Sequence, residues 1–156
     1  MPKGKPTPAQ AQLLLQLYDL RREAKLRQAR EWFFANYSPH SLEEANKVAP
    51  MGSEQNAYAR MVISYWDQAC ALLNYGLLHE QLFFETSGEF FQVWESLRHI
   101  TPAIRKEFRA PHFMAHLEKA AQRYEKWVNK RAPGALEMMR QRRAQMRAAA
   151  AAASRT

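Results

Sequence analysis

Two histidines four residues apart, His112 and His116, come closest in this chain to a metal-ligand pair. On one helix both rings would reach a single ion. A stable site needs further ligands, and Glu118 falls on a different face. Neither HExxH nor Glu-x-x-His occurs, so the signatures of zinc proteases and di-iron bundles are missing. Both histidines read as surface or half-buried groups, and no metal is expected. His79 and Glu80 follow the Gly76 turn, with Glu85 about a turn and a half further on. The chemistry open to them is general acid and base work. Charged groups at the start of a short helix serve more often as caps or dipole partners. Asp67 lies beside Trp66, at the edge of an apolar stripe. Buried there, it needs a donor such as Arg60, Arg98, an indole or a phenol, and it reads as a structural carboxylate. The single Cys70 falls inside an apolar helical pattern, so it is expected to be a buried, inert thiol. No G-x-S-x-G, G-x-G-x-x-G or P-loop is present. The expectation is a protein with no catalytic residue and no cofactor, and not an enzyme.

Charge gives a second kind of candidate. The formal net charge is +8, but residues 1–118 hold 13 basic and 13 acidic side chains, and residues 119–156 hold 10 and 2. The whole excess lies in the last quarter of the chain. Lys119, Arg123, Lys126 and Lys130 follow one another at helical spacing. Arg140, Arg143 and Arg147 share a face further on, with Arg142 beside them. Such a surface attracts phosphates without reading sequence, and its binding falls with salt. It could equally meet an anionic membrane or an acidic protein, although the weak apolar stripe of residues 135–153 argues against insertion. The bland alternative is a solvated tail. Zinc-finger and RNP signatures are absent.

The elements that must position these residues are helical. Tyr58, Val62, Tyr65, Trp66, Ala69, Leu72 and Leu73 recur at spacings of three and four. Ser53 caps this central helix, and Gly76 stands where a left-handed residue ends it. A short helix over 78–86 follows, then a Ser87-Gly88 break and a helix carrying Phe90, Trp94 and Leu97. Pro102 bends that helix toward Ile104 and Phe108. A helix over 112–130 buries Phe113, Leu117, Ala120, Tyr124, Trp127 and Val128. Upstream, Thr7-Pro8 starts a helix expected to run over 8–37, on the order of 45 Å long. Arg21, Arg22, Lys25, Arg27 and Arg30 make its solvated face. Its Leu13 to Leu20 end overhangs the core and suggests dimerisation. Ser41 caps a short helix over 42–48. The adjacent pairs Phe83-Phe84 and Phe90-Phe91 cannot face one way on a helix, so one of each pair is expected to be exposed or to meet a second layer.

The run Val62-Ile63-Ser64-Tyr65-Trp66-Asp67-Gln68-Ala69 is followed by Leu72-Leu73-Asn74-Tyr75-Gly76-Leu77-Leu78-His79-Glu80-Gln81-Leu82, and then by Phe91 and Trp94 to Leu97. This pattern resembles a bacterial family of helical domains of unknown function. In that family an aromatic-aromatic-acid triplet precedes an apolar run, a Gly-Leu turn, a short acidic helix and a Trp helix. The resemblance covers about residues 32–128. It implies a fold and brings no reaction, cofactor or active site with it. Many members carry a membrane-anchoring helix before the domain; here no apolar run approaches the ~20 residues that would span a bilayer.

With 47% hydrophobic and 12% aromatic residues, a packed core is within reach of 156 residues. The expectation is an all-α bundle of five or six helices, with a long N-terminal helix and a protruding basic C-terminal helix. Residues 1–7 are read as a flexible leader, 8–131 as the bundle and 132–156 as a basic, Ala-rich tail. The expected function is a cytoplasmic, bacterial, non-enzymatic scaffold or protein-interaction module, either homo-oligomeric or with a protein partner. The first alternative is nucleic-acid or other polyanion binding through the basic arm. The second is an enzyme whose interhelical pocket gathers Asp67, His79 and Glu80.

Overall fold

The computed structural model describes residues 4–155. The leader expected over 1–7 falls partly outside them. Among the described residues the chain forms nine α-helices and no strand: α1 (Pro8–Arg21), α2 (Ala24–Asn36), α3 (Leu42–Val48), α4 (Glu54–Asn74), α5 (Glu80–Thr86), α6 (Glu89–Leu97), α7 (Thr101–Glu107), α8 (Ala115–Arg131) and α9 (Ala135–Ala153). The class is all-α as expected, but five or six helices is an undercount.

One cause is that the helix expected over 8–37 is two helices. Glu23 makes the break. Its carboxylate accepts from the backbone amides of Lys25 at 3.0 Å and Leu26 at 2.9 Å, so α2 receives a cap of its own. The same two hydrogen bonds hold the Glu23 carboxyl below the usual carboxylate range. The other cause is that α6 and α7 are separate, divided by residues 98–100.

Elsewhere the local signals act as their chemistry dictates. Thr7 and Gln10 form a reciprocal capping box with Pro8 in the first turn. The Ser41 and Ser53 hydroxyls accept from the amides of Glu44 and Asn56, each at 3.1 Å. Gly76 takes φ 78. The Leu77 amide then reaches the Leu72 carbonyl and the Gly76 amide the Leu73 carbonyl, both at 3.0 Å. This Schellman turn satisfies two carbonyls at the end of α4.

The chain divides into two compact units, one ending at Ala121 and the other beginning at Gln122, inside α8. The first unit is organised around α4, which buries Tyr58, Ala59, Val62, Trp66, Ala69, Cys70 and Leu73. Phe33 from α2, Phe83 and Phe84 from α5, Phe90, Phe91 and Leu97 from α6, and Leu117 and Ala120 from α8 complete its core. Each large apolar side chain buried this way is worth about 1.5–3 kcal/mol in transfer free energy. Both members of Phe83-Phe84 and of Phe90-Phe91 are buried, so of the two outcomes expected, exposure or a second layer, exposure does not occur. The rings pack across α5 and α6, Phe83 tilted against Phe90 with centroids 5.2 Å apart and Phe84 stacked on Phe90 at 6.0 Å. Two aromatic faces are therefore used by one core.

Candidate functional site

The strongest polar junction joins three helices that are distant in sequence. Glu89 opens α6. Its carboxylate takes two hydrogen bonds from Arg30 of α2, at 2.7 Å to Nε and 2.5 Å to Nη2. It takes a third from the Trp66 indole of α4 at 3.0 Å. The Arg30 and Glu89 side chains are only 22% and 18% exposed. The bidentate carboxylate holds the Arg30 guanidinium even more firmly protonated than usual. Arg30 was expected on a solvated face; its partner lies 59 residues away, and nothing in the local pattern marks it.

Asp67 is a structural carboxylate, with a partner of a different kind from those expected. Its Oδ1 accepts from the Leu117 amide at 2.8 Å. Leu117 lies in the first turn of α8, so a side chain from α4 caps that helix and places negative charge at its positive end. Nearby, the Asn74 amide donates to the His116 carbonyl at 3.0 Å. α8 begins at Ala115, not at His112, because the chain first turns through Arg109 at φ 48 and Met114 at φ 54. His112 therefore precedes the helix, and the shared helical face on which a two-histidine site depended does not form. Arg105 ties this turn down, donating to the Phe113 carbonyl at 2.9 Å and pairing with Glu118 at 2.7 Å.

His79 caps α5. Its Nδ1 accepts from the Leu82 amide at 3.3 Å, and its Nε2 lies 2.6 Å from the Gly4 carbonyl. Both contacts are met by the neutral ring with its proton on Nε2. Glu85 takes a hydrogen bond from Gln81 at 2.8 Å. Cys70 is fully buried.

An open cavity of about 490 Å³ lies among α1, α4 and α5. Asp67, His79 and Glu80 do not line it. Leu17, Trp66 and Phe83, all buried, form its floor, and Leu14, Leu15, Tyr18 and Leu82 its walls and rim. Arg21 is the one charged residue in the lining. Its guanidinium stands 5.0 Å from the centre of the Tyr18 ring and 5.8 Å from that of Trp66. The Tyr65 hydroxyl, also in the lining, donates to the Leu17 carbonyl. Burial pushes this phenol up to about 12, with Arg21 pulling the other way. Sequence periodicity could not mark the cavity, because leucines that line a void and leucines that fill a core share one spacing.

The second unit holds most of the basic candidates. Arg140 makes a two-pronged contact with Glu125, at 3.0 and 3.2 Å. Arg123 and Arg143 are half-buried, and Lys126, Lys130, Arg142 and Arg147 are exposed. Arg131 stacks 4.3 Å from the Trp127 ring centre. Lys119, exposed as well, belongs to the first unit.

Fold and junctions together define a small all-helical domain, fastened by polar links between its helices and opened by an apolar cavity. Residues 6–127 match the family described as a domain of unknown function (DUF4760), and the chain belongs to that family. The match agrees with the resemblance carried by residues 62–97. No curated protein and no solved structure matches the chain. Among the described residues, no helix is long and apolar enough to cross a membrane.

Proposed function

We propose that the domain is a non-enzymatic interaction module that self-associates through α1. The observation that carries this is the distribution of apolar residues on that helix. Leu13, Leu14, Leu15, Leu17, Tyr18 and Leu20 go round it, yet of its 14 residues only Leu17 is buried. Leu15, Leu20 and Tyr18 are 65%, 60% and 48% exposed. Large apolar side chains left exposed together on one helix ordinarily mark a surface that another protein covers. A second copy fits the outward stripe, because Leu15, Asp19 and Arg22 follow at helical spacing and are all exposed. A stripe with one acid and one base beside a leucine is self-complementary, as a two-fold contact requires. The use of Asp67, His79 and Glu89 in helix caps and junctions supports a role without catalysis.

The test is the oligomeric state of the full chain, by light scattering on a sizing column across a concentration series. The wild type should dimerise, and Leu15→Glu with Leu20→Glu should be monomeric with an unchanged helical spectrum. A wild type that stays monomeric at every concentration removes the proposal.

A second reading is favoured by the charge of residues 119–156, 10 basic against 2 acidic. Polyanion binding through Arg142, Arg147 and their neighbours predicts late elution from heparin that weakens with salt. Loss of residues 135–156 should bring elution forward; elution that does not change removes this reading.

A further inference from the structure

We infer that the cavity among α1, α4 and α5 binds a single-chain amphiphile with a carboxylate head, its chain against Leu14, Trp66 and Phe83 and its head on Arg21. This goes beyond self-association and does not rest on it. At about 490 Å³ the space lies within the range of small-molecule sites. That volume suits a straight chain of roughly a dozen carbons. Its floor is buried aromatic and aliphatic surface, and its rim is open.

Two polar groups of the lining are already committed. The Tyr65 hydroxyl is committed to the Leu17 carbonyl, and the Thr86 hydroxyl donates to the Leu82 carbonyl at 2.7 Å. Arg21 is different. Its guanidinium is fixed by two aromatic faces, and no carboxylate among the described residues pairs with it. Two acids of neighbouring helices are already engaged: Glu89 holds Arg30 and Trp66, and Glu23 caps α2. Stacking occupies the faces of a guanidinium and leaves its N–H donors at the edge free to meet an anion. A single cation at the mouth of an apolar cavity complements a single negative charge on an apolar chain. Arg22, whose guanidinium stands 5.7 Å from the Tyr18 ring centre, is not in the lining.

Calorimetric titrations of the full chain with dodecanoate and with dodecanol, both kept below aggregation, test the assignment. Dodecanoate should bind one per chain and more tightly than dodecanol. Arg21→Gln, at a half-exposed position, should weaken dodecanoate about tenfold and leave dodecanol nearly unchanged. Leu14→Trp should fill the space and abolish both, with an unchanged helical spectrum as the check on folding. Absence of dodecanoate binding to the wild type overturns the site. Binding that is indifferent to both substitutions overturns it as well, since the ligand then lies elsewhere. Dodecanol binding as tightly as dodecanoate overturns the role of Arg21.

Discussion

Replacing Glu89 with alanine should be among the most damaging single changes in the first unit. The substitution removes one carboxylate and strands two donors. Arg30 loses both prongs, at 2.7 and 2.5 Å, and the Trp66 indole loses its acceptor at 3.0 Å. An exposed ion pair would contribute ~0–1 kcal/mol. Breaking a fully buried pair from one side costs about 3–5 kcal/mol, because the remaining charge stays desolvated. With side chains 22% and 18% exposed, the junction lies between those limits. A loss of roughly 2–3 kcal/mol is the expectation. For a chain of this size that lowers the melting temperature by about 4–12 °C. Urea denaturation and thermal melts followed by circular dichroism measure both quantities. The double change Arg30→Met with Glu89→Leu should cost less than Glu89→Ala alone, because no charge is then left unpaired. Added salt should barely alter the Glu89→Ala penalty, since a half-buried pair is screened little. A penalty under about 1 kcal/mol, or one that vanishes at high salt, would refute the view of this junction as a desolvated fastening.

Asp67→Ala should cost about 1 kcal/mol by removing the cap of α8, and hydrogen exchange at the Leu117 amide should accelerate more than elsewhere in that helix. Gly76→Ala should cost about 1 kcal/mol from backbone conformation alone, since a Cβ there meets nothing within 4 Å. Arg109→Gly should do the reverse at the equivalent turn after α7, raising the urea midpoint, because φ 48 is strained for arginine. Tyr65 has a folded value of about 12, raised by burial above its ordinary 10. Its contribution is therefore full below pH 10 and is lost as pH rises through 12. Stability measured across that window should fall less steeply in Tyr65→Phe than in the wild type.

Features that reside in one turn of chain were legible in the sequence. Thr7, Ser41, Ser53 and Gly76 announce helix ends through chemistry that reaches only two to four residues, so they act the same way in any fold. The periodicity of α4 was legible for the same reason, and Trp66, Val62 and Leu73 are buried as their spacing implies. The break between α1 and α2 was not, because glutamate is a weak capping residue and neither proline nor glycine marks the site. The start of α8 was misplaced because Arg109 and Met114 adopt a left-handed backbone that their side chains do not advertise. The burial of Arg30 depends on Glu89, and the cap on α8 depends on Asp67. Both pairings are fixed by tertiary packing, and a charge written on one helix cannot say which distant helix will answer it.

The Arg30–Glu89–Trp66 junction also bears on the order in which the chain can fold during synthesis. Arg30 and Trp66 leave the ribosome well before Glu89, and the loop that closes this contact spans 59 residues. Until α6 emerges, packing α2 against α4 would bury a guanidinium and an indole donor without their acceptor. α8 adds a second delay of the same sign, since Asp67 has no amide to cap until Leu117 has been made. Nascent chains that stop short of residue 89 should therefore stay loosely packed, and the first unit should acquire its fixed core only when its last helix arrives.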